Sequence, residues 1–142
     1  MENDREIIYG MEGKKVKGLP LDDLEKLMRE WQKKLLMDNW KLDLKIVDFK
    51  RKNNYRQSGD FIADPDKKNA SILMTWDPWR GDEEYTLVHE MLHVLVYDYD
   101  KYSEGLILGH YKKFEGEHDV YMDKLENLVH HLTRMLLGRS DR

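Results

Sequence analysis

The sequence has no cysteine in its 142 residues. That excludes disulfides and thiolate metal sites, so any metal ion must be held by histidine and carboxylate. The absence is compatible with a cytoplasmic setting, which is the expectation here. No stretch approaches the roughly 20 apolar residues of a membrane span. Met1-Glu2-Asn3-Asp4-Arg5 lacks the basic start and apolar run of a signal peptide. Neither sign of charge dominates: 24 Lys and Arg stand against 28 Asp and Glu, and a net charge of −4 gives no reason to expect nucleic acid as a partner. There are no internal repeats and no low-complexity segments.

What is present suits one small domain, since a chain of this length supports one real core and not comfortably two. Charged residues make up 37% and hydrophobic residues 40%, a highly polar surface around a modest core. Residues 1–18 carry Gly10, Gly13, Gly18 and Lys14-Lys15-Val16-Lys17 and read as a loose arm, with one short strand at Glu6-Ile7-Ile8-Tyr9. Residues 19–142 read as the folded domain, expected to be a monomer. Pro20 precedes Leu21, Leu24, Leu27, Met28, Trp31, Leu35 and Leu36 at three- and four-residue spacing, an amphipathic helix over 21–38 with Asp22 and Asp23 in its first turn. Trp40, Leu42, Leu44, Ile46 and Asp48 alternate with Lys41, Asp43, Lys45 and Val47, a strand with one buried face. Arg51-Lys52-Asn53-Asn54 reads as a turn, with a short strand around Tyr55. Residues 59–64 and 70–76 are further strands. The fold class expected is α+β: an N-terminal helix, a small, mostly antiparallel sheet of about three strands, a buried motif helix and a long C-terminal helix.

The motif helix is Tyr85-Thr86-Leu87-Val88-His89-Glu90-Met91-Leu92-His93-Val94-Leu95-Val96, with Asp82 as its N-cap and an expected span of 83–97. It is apolar on all sides except for His89, Glu90 and His93, so it belongs inside a domain. Two imidazoles and a carboxylate are costly there unless paired. Two core histidines satisfied by hydrogen bonds would be the plainer account. Positions four apart share a helix face, however, so His89 and His93 can grip one ion while Glu90 projects beside it. This is H-E-x-x-H in its expected context, with His89 and His93 as ligands and Glu90 as general base. Such a site hydrolyses peptide bonds by Glu-assisted attack of zinc-bound water.

A third ligand must come from elsewhere. The metzincin continuation needs Gly and His where this chain has Val96 and Tyr99, so that class is excluded. Residues 98–109 read as an irregular loop bordering the site, and a last helix runs from about Tyr111 to Leu137, stopped by Gly138. On that helix Glu126 borders the apolar stripe beside Leu125, Leu128 and Val129, where a carboxylate needs a partner. His118, Glu117 and His110 are its competitors. Trp76 and Trp79 are read as packing between sheet and helix, with a role in lining a cleft as the alternative, and the eight methionines as core filler.

Helix, small sheet, H-E-x-x-H helix, then a helix with a late Glu: this order resembles the gluzincins at their smallest. It is most similar to the small phage- and prophage-type metallopeptidases called minigluzincins. The residues carrying the resemblance are Thr86 to Leu95, Trp40-Lys41-Leu42-Asp43-Leu44, Ala70-Ser71-Ile72-Leu73, and Glu126-Asn127-Leu128-Val129-His130-His131-Leu132 within about 20–137. The resemblance implies a minimal zincin-like fold, one zinc ion per chain, Glu126 as the third ligand, and a peptide or protein substrate. It also implies an acid four residues after that Glu to orient the first histidine, where this chain has His130. The oxyanion-stabilising residue is open among Tyr97, Tyr99, Tyr102, His110, Tyr111 and His131. The competing expectation is a zinc-stabilised binding or adaptor domain without catalysis.

Overall fold

The computed structural model describes residues 8–9, 15–49, 57–79, 81–111 and 116–139, with the side chains of 8, 9, 110 and 111 left aside. The expected turn at 51–54, the strand around Tyr55, and Phe114 and Glu115 lie outside those residues. So do Gly10, Gly13 and Lys14 of the arm. The elements are β1 (Ile8–Tyr9), α1 (Leu21–Lys34), β2 (Lys41–Phe49), β3 (Gly59–Asp64), β4 (Asn69–Thr75), α2 (Glu83–Tyr111) and α3 (Gly116–Leu137). The fold is α+β, with a mixed sheet in the order β1-β2-β4-β3. Among the described residues no helix is long and apolar enough to cross a membrane.

α1 buries Leu24, Met28, Trp31 and Gln32 and ends four residues earlier than its periodicity predicts. Leu36 takes a left-handed conformation, φ 58°. Its N–H bonds to Lys33 O at 3.1 Å while Met37 N–H bonds to Gln32 O at 2.8 Å, a Schellman closure made without glycine. The turn lets Met37 re-enter the core while Leu36 is left 84% exposed. Apolar spacing alone could not reveal that reversal.

β1–β2 and β3–β4 pair antiparallel, but the central β2–β4 pair is parallel, from Lys41↔Asn69 to Val47↔Thr75. The reason is that β3 lies beyond β4 instead of folding back on β2. Leu42, Leu44 and Ile46 share one face with Ala70, Ile72 and Met74, as the register requires. That face meets Leu24, Met28 and Trp31 of α1 and Leu87, Val88, Met91 and Leu92 of α2 in one core. β2 departs from a single buried face, because Val47 and Phe49 join Leu73 in a second small cluster. The expected loose arm is tied down at Lys17, whose N–H bonds to Trp76 O at 2.9 Å and whose ammonium lies over the Trp76 ring. Trp76 also bonds Asp48 through Nε1, 3.0 Å, whereas Trp79 is mostly exposed. Met28, Met37, Met74 and Met91 fill core, while Met122 and Met135 face solvent.

The largest departure is α2. The expected loop at 98–109 is helix, and α2 runs 29 residues to Tyr111. Gly105 and Gly109 made the stretch look irregular, but tertiary contacts override that weak propensity. Asp100 is buried and its Oδ1 accepts the Tyr121 hydroxyl at 2.8 Å. Glu104 accepts from Lys101 and from His118, both at 2.8 Å. The bonds to Tyr121 and His118 clamp the outer half of α2 to α3, which returns antiparallel beside it. α3 ends as expected at Gly138, φ 70°, with Arg139 N–H on Arg134 O at 2.8 Å.

Candidate metal centre

The centre forms where β3, the inner half of α2 and the middle of α3 meet. Thr86 N–H bonds to Asp82 O at 2.9 Å, opening α2 at the expected N-cap residue. Glu84 anchors this end by accepting Trp31 Nε1 at 2.6 Å. Tyr85 to Leu92 are then buried without a break. The antiparallel return of α3 carries Glu126 to the two motif histidines.

Nε2 of His89 and Nε2 of His93 lie 3.0 and 3.1 Å from the same Glu126 oxygen, Oε1. Hydrogen bonds from His89 and then His93 hold the Glu126 carboxyl well below its usual range, against an opposing effect of burial. Donors about 2 Å from one tetrahedral ion lie about 3.3 Å apart, so this spacing fits a shared ion. A nitrogen, nitrogen, oxygen set is also chemically suited to zinc. Glu90 is buried beside it. Burial, then the charges of Asp60 and Glu126, push its carboxyl well above the ordinary value. That makes it a stronger base than an exposed glutamate.

His130 complicates the ligand count. His89, Glu126 and His130 offer ligand atoms all within 4.8 Å of one another, a group that omits His93. The shorter contacts of His89 and His93 with Glu126 nevertheless favour those three as the ligand set. His130 Nε2 is farther from Glu126 Oε1, at 3.9 Å, and its Nδ1 meets the Tyr85 hydroxyl at 2.5 Å. Burial and the nearby His89 lower the His130 pKa. It does not replace the acid expected at its position, for His89 Nδ1 is buried with no hydrogen-bond partner among the described residues.

No protein-family model, curated protein or solved structure matches the chain.

Among the described residues neither His118 nor Glu117 joins this cluster. His118 pairs with Glu104, Glu117 faces solvent, and the His110 side chain is outside the described residues. Sequence reasoning missed the contribution of β3. A Cβ on Gly59 would lie 2.7 Å from Thr86 Cγ2 and 3.2 Å from both Glu90 Cγ and Oε2, so glycine lets the strand pass against the base. Phe61 stacks on His93 and holds Tyr97 edge-on. Nothing local in 59–61 signals this neighbour. Tyr85 was legible in principle, because it precedes His89 by four and so shares its helix face.

Proposed function

We propose that the protein is a zinc-dependent peptidase of the minimal gluzincin kind seen in phage- and prophage-type enzymes, acting on peptide or protein substrates. One observation carries the reading: His89 and His93 reach the same Glu126 oxygen within 3.1 Å. His89, His93 and Glu126 would hold one zinc ion per chain. Zinc supplies a Lewis acid and lowers the pKa of a bound water towards about 7. Glu90 takes a proton from the attacking water on its carboxylate and passes it to the leaving amine nitrogen. β3 is the last strand in the sheet order, and its Gly59 lies against Glu90, so the base stands beside this strand. The reading carries a cytoplasmic setting with it, with which a cysteine-free sequence is compatible.

A second reading, a zinc-stabilised binding domain without hydrolysis, draws support from the third imidazole, His130, near the centre. A closed site with four protein ligands is the structural type of zinc site. Elemental analysis should find one zinc per chain, and Glu90→Gln should keep the zinc and abolish cleavage of a quenched fluorogenic peptide. Equal rates in parent and variant would refute the mechanism. A zinc-loaded parent that cleaves nothing would favour the second reading.

A further inference from the structure

Hydrolysis of a carbonyl needs a hydrogen-bond donor for the negative charge that develops on the substrate oxygen. Of the residues offered for that task by the sequence, the four whose side chains are described are exposed or engaged with other groups. Tyr99 and Tyr102 point to solvent at 73% and 70% exposure, Tyr97 packs against Phe61, and His131 is exposed with Nδ1 3.5 Å from Arg134.

His130 stands at the centre instead. It is four residues after Glu126 and so shares its helix face. Its ring lies 4.6 Å from that of His89. At 3.9 Å its Nε2 is too far from Glu126 to be bonded to it, and among the described residues no hydrogen bond engages that nitrogen. The side chain is 42% exposed, so a ligand arriving from solvent can reach it. The other nitrogen is fixed by the Tyr85 hydroxyl at 2.5 Å. Tyr85 is buried one turn before His89, and its ring stacks on both His89 and His130.

We propose that His130 presents a protonated Nε2 as the hydrogen-bond donor to the substrate carbonyl oxygen, and that Tyr85, donating its hydroxyl proton to Nδ1, positions the ring and fixes its tautomer. A hydroxyl can donate or accept, and in the proposed direction the imidazole proton lies on Nε2. A protonated Nε2 cannot ligate a metal, so the centre keeps three protein ligands and an open position. The assignment rests on the peptidase reading and names the residue that this reading lacks. The position where the gluzincin resemblance implies an orienting acid thus carries a donor instead.

The test is a long-range proton–nitrogen NMR spectrum of the zinc-loaded full chain. It should show His130 protonated at Nε2 and bare at Nδ1, with His89 and His93 bound through zinc, and Tyr85→Phe should give a mixture of His130 tautomers. A His130 Nε2 bound to zinc, or a proton on Nδ1, overturns the assignment. In kinetics with a quenched fluorogenic peptide, His130→Ala should lower kcat by about 10²–10³-fold with KM within about two-fold, the mark of a contact made in the transition state. His130→Gln should recover part of the loss and Tyr85→Phe should lose about ten-fold, with zinc content unchanged in each. Loss of zinc in His130→Ala, or an unchanged kcat, also overturns it. A parent that cleaves no peptide overturns the peptidase reading alone, and the spectrum still decides whether Nε2 is a donor.

Discussion

Phe61 lies flat against His93, with ring centroids 5.6 Å apart and planes 7° from parallel. A residue on β3 therefore sets the angle of an imidazole on α2. The Phe61→Ala variant should bind zinc about ten-fold more weakly, since support behind a ligand commonly contributes that much. Competition against a chelator with a zinc-sensitive dye measures it. Unchanged affinity would mean that α2 alone orients His93.

Gly59 and Glu90 are in closer contact still. Ala at 59 would push a methyl into Thr86 and the Glu90 side chain, at the 2.7 and 3.2 Å separations given above. Gly59→Ala should keep one zinc per chain while peptide cleavage falls about 10–100-fold, because a displacement near 1 Å is costly for a base. The assay is steady-state cleavage beside elemental analysis.

The outer half of α2 contains two glycines that the helix does not need. Gly105 and Gly109 lack positive φ, and a Cβ on either would meet nothing within 4 Å. Gly105→Ala and Gly109→Ala should each stabilise the protein by about 0.5–1 kcal/mol, as helix propensity predicts at exposed positions. Urea denaturation measures the change. A loss of stability would show that this segment is not helical in solution.

The α2–α3 clamp should respond at both ends of the pH scale. Burial, then the Asp100 hydrogen bond, pushes the Tyr121 phenol up to about 12. A raised pKa contributes stability below the unfolded value of about 10 and loses it as pH rises through about 12. For Glu104, burial acts upward, but hydrogen bonds from Lys101 and His118 outweigh it and lower the carboxyl. Its contribution is present above the unfolded value of about 4.3 and is lost as pH falls through the folded value. Parent-minus-Tyr121→Phe absorbance at about 295 nm should show one phenol titrating near 12. In urea denaturation, Glu104→Gln should flatten the acid limb of the stability curve.

Local chemistry determined what could be read without coordinates. The motif helix was legible because burying His89, Glu90 and His93 in an apolar stretch demands compensation, and the place of Glu126 because it stands beside Leu125 and Val129, although Leu128, read into the same stripe, is 53% exposed. The α+β class and the helix stop at Gly138 followed from periodicity and from the backbone freedom of glycine. Tertiary structure decided the rest. Strand order put β3 at the edge and made β2–β4 parallel, a choice that turns on contacts distant in sequence and that alternation leaves open. The bonds of Asp100 and Glu104 to α3 held residues 98–109 helical against their glycines. His130 shows the division most plainly. Its spacing from Glu126 fixed its helix face, but only the packing of Tyr85 across from it aimed its two nitrogens.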